Sequence, residues 1–427
     1  MANSATPTPF ADITELFKQL YTILSSGVNP RAALKSQFSK LTNAGFTGKK
    51  WIFAVKVRIG GGAANVGGGY SLPQATIGAW ANGEVAPVQT YTRFGLTGME
   101  IAQSKSNRGA FKAALAAAME DRMQAHDKEV NRQLFCAGNG VLTTIPTGAA
   151  SATQTPGTGT GGNVGDYGVV NGGNGTTHVN VGDTLAFYQS DGTSYIGTKT
   201  VVSKTSTTFT VDSTITSTNG AIVTRATADT DNITAGEAQG LLAACQATGA
   251  LETIDPATVG SAWAATVLSN SGTLRDISNP LVMQALATIE AQSLAVPDLF
   301  VTSPGIVLKW SEVLLPLQRI DGLDAQLKGG YKPVAAFLNG GAPIPVISDI
   351  DCPKSRLFLL TTSTIQMADL LGTEWMDDDG SMLFRIVGVD GVEAVLRKYW
   401  QPIYTQRNAL GVVEDINDID TIAYLNG

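Results

Sequence analysis

The chain has 427 residues, of which 43% are hydrophobic and only 15% charged, with 47 glycines and a formal net charge of -7. That length allows two or three domains with ample core, and the acidic balance excludes a polyanion binder. A charged fraction below the ~25% of ordinary soluble domains suits a surface largely covered by other subunits.

The charge is unevenly spread. Lys18, Arg31, Lys35, Lys40, Lys49, Lys50, Lys56 and Arg58 face only Asp12 and Glu15 in the first segment. The last segment holds Glu374, Asp377, Asp378, Asp379, Glu414, Asp415, Asp418 and Asp420. Such opposite ends either meet between neighbouring subunits or are solvated. Cys136, Cys245 and Cys352 are odd in number and far apart, which predicts no disulfide framework and suits a reducing cytoplasm. The start of the chain shows no leader pattern, and no segment reads as a bilayer span.

In chain order, Phe10, Ile13, Phe17, Leu20 and Leu24 recur at helical spacing, Gly27 stops that helix, and Asn29-Pro30 opens a second. "WIFAVKVRI" (51–59) turns to strand character, and "APVQTYTRFGL" (86–96) reads as its hairpin partner across a glycine-rich, nearly uncharged tip. A tip of that composition takes a fixed shape only by lying on another surface. A long helix follows, predicted from Asn107 to Ala137, roughly 45 Å at 1.5 Å per residue. Its apolar stripe runs through Phe111, Leu115, Met119, Met123 (or Arg122), His126, Val130 and Leu134, with a left-handed stop at Gly138.

Residues 141–178 are Gly/Thr/Ala-rich and predicted irregular. Residues 178–226 alternate in short Val/Thr/Ile/Phe runs between Val-Gly-Asp, Ser-Asp-Gly and Thr-Asn-Gly turns, which predicts a small all-β module, barrel or sandwich. From about 231 the pattern is α+β. "SNPLVMQALATIEAQS" opens with Asn279 as N-cap and Pro280 at N1, and Ser303-Pro304 repeats the device. "PDLFVTS", "APIPVISDI" and "RLFLLTT" read as buried strands, and the segment from Ser381 to Gln406 as long alternating strands.

Chemistry is sparse. His126 and His178 are the only histidines, and neither has a second ligand at metal spacing. "GTGTGG" (157–162) matches GxGxxG without the strand and helix that a dinucleotide site needs. The glycine triplets at 60–62 and 67–69 lack the GK[ST] of a phosphate loop, and no GxSxG elbow exists. "WMDDDG" (375–380) offers carboxylates for a divalent cation, but Asp and Gly there do the ordinary work of a turn. The basic strip at Lys35–Arg58 lacks the interleaved aromatics of a nucleic-acid platform. The sequence therefore predicts no enzyme, no metal and no cofactor.

The ordered set of parts carries the strongest signal. "GLTGMEIAQSKSNRGAFKAALAAAMEDRMQAHDKEVNRQLFCAGNG", "PDLFVTSPGIVLKW", "APIPVISDIDCPKSRLFLLTTSTIQMADL" and "DDDGSMLFRIVGVDGVEAVLRKYWQPIYTQRNALGVVEDI" resemble successive segments of the major capsid proteins of tailed bacteriophages, the Hong Kong 97 type fold. The resemblance implies an α+β subunit with an N-terminal arm (1–50), an extended loop (51–98) and a peripheral-domain spine helix (99–140). It further implies a linker with an inserted small all-β module (141–230), an axial domain (231–365) and returning peripheral-domain strands (366–427). The implied function is self-assembly through pentamers and hexamers into an icosahedral shell enclosing double-stranded DNA without sequence-specific binding. Such a protein belongs to the virion, is assembled in the host cytoplasm, and has no membrane partner. Separate scaffold, portal or cement partners stay open.

On this reading the candidate inter-subunit contacts are Arg31, Lys35, Trp51, Lys56, Arg58, Tyr70, Trp80, Arg122 and Asp127. Two departures from relatives are visible. The arm is too short for a cleaved scaffolding segment, and no Lys lies between Gly60 and Gly83 for a covalent crosslink, so joining is expected to be non-covalent. The rival readings are an encapsulin-like compartment shell, a secreted surface-layer or adhesin protein, and an enzyme built on Asp377–Asp379.

Overall fold

The computed structural model describes residues 34–42, 46–67, 73–99, 108–157, 175–225, 236–314, 338–339, 342–377, 383–385 and 388–418. The two helices predicted over residues 10–45 lie largely outside them, as do Arg31 and Tyr70, and where that span is described Ser39–Thr42 is a strand, drawn into a parallel ladder with Gln366–Asp369 in place of a helix. The first strands are β1 (Ser39–Thr42), β2 (Phe46–Thr47), β3 (Lys50–Arg58), β4 (Ala79–Val85) and β5 (Val88–Thr97). Helix α1 (Arg108–Phe135) follows, then β6 (Val141–Ile145), β7 (Ala150–Gln154), β8 (Thr184–Tyr188), β9 (Tyr195–Lys204), β10 (Phe209–Thr216) and β11 (Ala221–Arg225). Next come α2 (Leu241–Ala244), α3 (Pro256–Val259), β12 (Thr266–Leu268), α4 (Asn279–Ser293), β13 (Leu299–Thr302) and α5 (Pro304–Leu314). The chain closes through β14 (Leu338–Asn339), β15 (Ala342–Pro343), β16 (Val346–Ser348), β17 (Leu357–Leu360), β18 (Ile365–Trp375), β19 (Phe384–Arg385), β20 (Gly391–Tyr404) and β21 (Gly411–Val413).

The hairpin differs from its sequence reading. The partner of β3 is β4, in register Trp51 to Val85 and Lys56 to Trp80. Residues 88–97 instead pair along their whole length with β20, from Thr97 opposite Gly391 to Val88 opposite Trp400. Pro87 explains the break: it has no N–H to donate, so the ladder ends there and the chain crosses into another sheet. That second sheet runs β1-β18-β20, with β5 and β19 also on β20.

Helix α1 lies on this sheet, but not with one narrow apolar stripe. Val130, Leu134 and Phe135 are buried, as predicted for the first two, yet Asn131, Arg132 and Gln133 are buried as well. Met123, offered as a stripe residue, is 45% exposed. The helix end is thus enclosed on all sides, and Gly138 turns the chain out at φ +87.

Beyond the helix end, a five-stranded sheet runs β12-β21-β17-β13-β16. Both of its faces are buried, which is why "RLFLLTT" carries an unbroken apolar run. Phe358 and Leu360 pack toward Val130, Leu134 and Trp400. Leu357 and Leu359 point the other way, against Val282 and Ile289 of α4 and Trp310 of α5. The cap of α4 is Ser278, one residue before the predicted Asn279. Asn279 uses its amide oxygen elsewhere, accepting from the Trp310 indole at 3.2 Å.

Residues 141–157 and 175–225 form a six-stranded antiparallel sheet in the order β6-β11-β8-β9-β10-β7. The β module therefore begins at Val141, and the predicted irregular stretch contains two of its strands. β6 and β7 are consecutive in sequence yet occupy opposite edges. Five residue steps span at most ~17 Å, while six strands laid flat span ~24 Å, so the sheet must curl. Leu142, Leu185, Phe187, Val201, Phe209, Val211 and Val223 fill the space inside.

Candidate subunit interface

Alternation along β3 and β4 sorts the ribbon into two faces. Trp51 and Val85 point inward and pack with Ala368 and Ile403 of the body. Val55 packs inward with Ile254 and Trp263. Gly83 lies opposite Phe53, where any Cβ would come within 2.7 Å of the ring. The outer face carries Ile52 (54% exposed) and Trp80 (64% exposed), and just past the strands Ile59 and Ile77 are 76% and 86% exposed. Lys56 lies over the Trp80 ring at 5.8 Å, a cation–π contact. The Arg58 guanidinium donates to the Ile77 carbonyl at 3.3 Å, and Lys50 pairs with Glu84 at 2.8 Å.

The glycines of the tip serve close approach of the two arms. Gly61 N–H donates to Thr76 Oγ1 at 2.7 Å, and Thr76 N–H returns to the Gly61 carbonyl at 3.0 Å. A Cβ on Gly60 would meet the Thr76 carbonyl at 2.5 Å. The arms are thus zipped as far as Gly61 and Thr76.

The other candidate contacts divide. Lys56 and Trp80 share the exposed ribbon face, and Arg58 is exposed just past the bulge that follows Lys56. Arg122 is part-exposed on α1, 3.8 Å from Asp121. Trp51 is a correction: it is 2% exposed and belongs to this subunit's own core, because the two-residue period puts it opposite the face of Lys56 and Trp80. Lys35 and Asp127, offered as separate contacts, bind each other at 2.6 Å.

Behind this surface lies a polar hub that sequence reasoning missed. The Asn131 amide donates to Asp351 at 2.8 Å and to Asp349 at 3.1 Å. Arg132 binds Glu129 at 2.6 Å and Glu237 at 2.5 Å, and Arg225 reaches Glu129 from the β module at 3.1 Å. Burial pushes the Glu129 carboxyl up, but Arg132 and Arg225 outweigh it and hold it well below the usual carboxylate range. Burial, with Asp351 beside it, raises Asp349 to about 6. His178 is buried, its Nδ1 3.8 Å from Asp351, and burial with Arg132 and Lys128 nearby lowers its pKa. The hub ties helix, module and axial sheet together. Its one sequence trace is the Asn-Arg of "NRQLF", quoted above only for resemblance.

Nothing in this arrangement assembles a nucleophile, base and oxyanion site. Among the described residues no three His, Cys, Asp or Glu side chains are grouped to hold a metal ion. Asp377 is exposed, Asp378 and Asp379 lie outside the described residues, and so does most of the GxGxxG match. All three cysteines are free and buried. No described helix is long and apolar enough to cross a membrane.

No family model matches the sequence, and no curated protein sequence does either. Solved structures do match. The chain superimposes on a subunit of the cyanophage A-1(L) capsid asymmetric unit with a TM-score of 0.54 at 14% identity, covering 97% of each chain. The fold is that of a phage capsid subunit. A second match, to the capsid of a native GTA particle, has a TM-score of 0.50 at 10% identity over 93% of this chain and 95% of that one. The SrpI encapsulin of Synechococcus elongatus aligns more loosely, with a TM-score of 0.42 at 9% identity over 96% of each chain. Within this capsid fold, the exposed apolar side chains of the ribbon β3–β4 are not accounted for by the chain's own packing.

Proposed function

We propose that the chain is a major capsid protein whose copies join through pentamers and hexamers into an icosahedral shell around double-stranded DNA. The capsid fold supports this reading, and one observation carries it: the exposed surface of the ribbon, with Ile52, Ile59, Ile77 and Trp80, which a lone subunit leaves in water. Laid over a neighbouring copy, that face buries its apolar side chains, with Lys56 and Arg58 at its rim. Residues 1–50 act as the arm, 51–86 as the extended loop, 231–365 as the axial domain and 366–427, joined by β5, as the returning strands. The module at 141–225 is an insertion into that plan. The role is architectural, and the net acidic subunit keeps its cargo mobile.

The test is assembly of purified chain, read by sedimentation and electron microscopy. Shells are expected from the unaltered chain. Trp80→Asp and Ile77→Asp, both at exposed positions, should keep the circular dichroism of the folded subunit and lose the shells. Variants that assemble as well as the parent would refute the ribbon's role, and a chain that stays monomeric would refute the function. Nuclease-resistant DNA inside shells from infected cells separates a virion from an encapsulin-like compartment, which would hold protein.

A further inference from the structure

The root of the ribbon rests on an unusual turn. Leu251 and Ile254 exchange backbone hydrogen bonds at 3.0 and 2.9 Å around Glu252 and Thr253. Both central residues have positive φ, 54° and 69°. Turns of this kind take Gly, Asn or Asp, so Glu and Thr hold it under strain. The strain has a use. The Glu252 carbonyl accepts the Glu84 N–H of β4 at 2.9 Å, and Thr253 Oγ1 lies 3.5 Å from the Asn82 carbonyl. Trp263 donates its indole N–H to the Leu251 carbonyl at 3.2 Å and packs with Ile254 on Val55. The ribbon is thus docked on the body through this turn.

The Glu252 side chain points the other way, into the body, and is 4% exposed. Its Oε1 accepts the Tyr404 N–H at 2.6 Å, while Oε2 is buried with no hydrogen-bond partner. No ion pair among the described residues includes it. Arg407 is the cation whose charge reaches it, but that guanidinium donates to the carbonyls of Ala243, Ala244, Thr248 and Gly249. The Tyr404 hydroxyl donates to the Gln239 carbonyl. Cys245 and Asp255 complete the charged or titratable surroundings on the body side, and on the ribbon side the Glu84 carboxylate is held by Lys50.

We propose that Glu252 is a proton-controlled latch: its neutral carboxyl seats the strained turn under β4, and its ionisation draws the turn toward water and frees the ribbon root. An orphaned carboxylate oxygen in an apolar seat is costly, whereas the neutral acid is tolerated there. Burial raises this carboxyl to about 8, against the opposing Tyr404 N–H and Arg407. The native state therefore holds the proton that the unfolded chain gives up near 4.5, so the seat weakens as pH rises from 4.5 to about 8 and no further above that. The latch rests on the proposed function only for its consequence, which is to set the angle of the ribbon between neighbouring subunits.

Amide hydrogen exchange of the full chain between pH 6 and 9.5 tests it, with amides of β21 as the internal reference. Relative to that reference, protection at Glu84 and Ile254 should fall about tenfold per pH unit between pH 6 and 8 and level off above 8. Glu252→Gln should keep protection flat over the same range. Flat protection in the unaltered chain, or an unchanged pH step in Glu252→Gln, overturns the latch. Should that variant not fold, the titration of the unaltered chain decides alone. Shells with flat protection would defeat the latch and leave the capsid function standing, and a pH step in a chain that never assembles would do the reverse.

Discussion

His126 gives the sharpest quantitative expectation. It is fully buried on α1, with Nδ1 3.1 Å from Thr92 Oγ1 and Nε2 without a hydrogen-bond partner. Burial lowers its pKa from 6.5 to about 4, with Lys35 and Lys398 adding to the effect and Asp127 opposing it. Between those two values the unfolded chain binds a proton that the native chain refuses, so stability is complete above pH 6.5 and is lost as pH falls toward 4. A shift of this size corresponds to about 3 kcal/mol at 1.36 kcal/mol per unit. The chain has only two histidines, so selectively labelled imidazoles can be followed by NMR one by one. Neither His126 nor His178 should titrate between pH 7 and 5 in the folded chain, and both should titrate near 6.5 in urea. His126→Leu should remove about 3 kcal/mol of the loss in unfolding free energy between pH 7 and 4. A folded-state His126 titrating near 6.5, or a variant with the parent's full pH dependence, would refute the reasoning.

Three further outcomes are expected. In Gly240→Ala a Cβ would fall within 2.5 Å of the Gln133 carbonyl and nearer still to that of Leu134. Prising α2 off the end of α1 should cost about 2 kcal/mol, read as a lower urea midpoint. Arg407→Met strands four carbonyls and should cost about 3 kcal/mol or more, with faster amide exchange confined first to residues 241–249. Phe209→Ala empties the centre of the β module at a cost of about 3–5 kcal/mol, and exchange should rise in β8–β10 while α1 stays protected.

Much of this architecture is legible in the residues because local periods carry it. The two-residue period of β3, the continuous apolar run of β17 and the glycine stop after α1 each depend on nearby positions only. What stayed hidden depends on distant ones. That β5 joins β20 across about 300 residues cannot be read from either strand, although Pro87 marks where the first ladder must end. β6 and β7 are five residues each, embedded in Gly/Thr-rich sequence, and gain strand identity only from β11 and β10. Trp51 and Trp80 look alike as aromatic strand residues, and only register puts one in the core and the other in water. The hub escaped for the same reason: Asn131 and Arg132 look like ordinary polar helix residues until Asp351 and Glu237 arrive from 220 and 105 positions away.

The module's two ends are themselves hydrogen-bonded neighbours: Val141 stands opposite Thr224, so the polypeptide departs and comes back through one narrow neck. A segment attached in this way imposes no span on the remainder of the subunit. Its outer turns can lengthen or shrink while α1 and the sheets keep their places, provided Arg225 and His178 stay to meet Glu129 and Asp351. The turn at Asp191–Gly192, beyond the far end of β8 and exposed at Asp191, is the position that would take an inserted peptide.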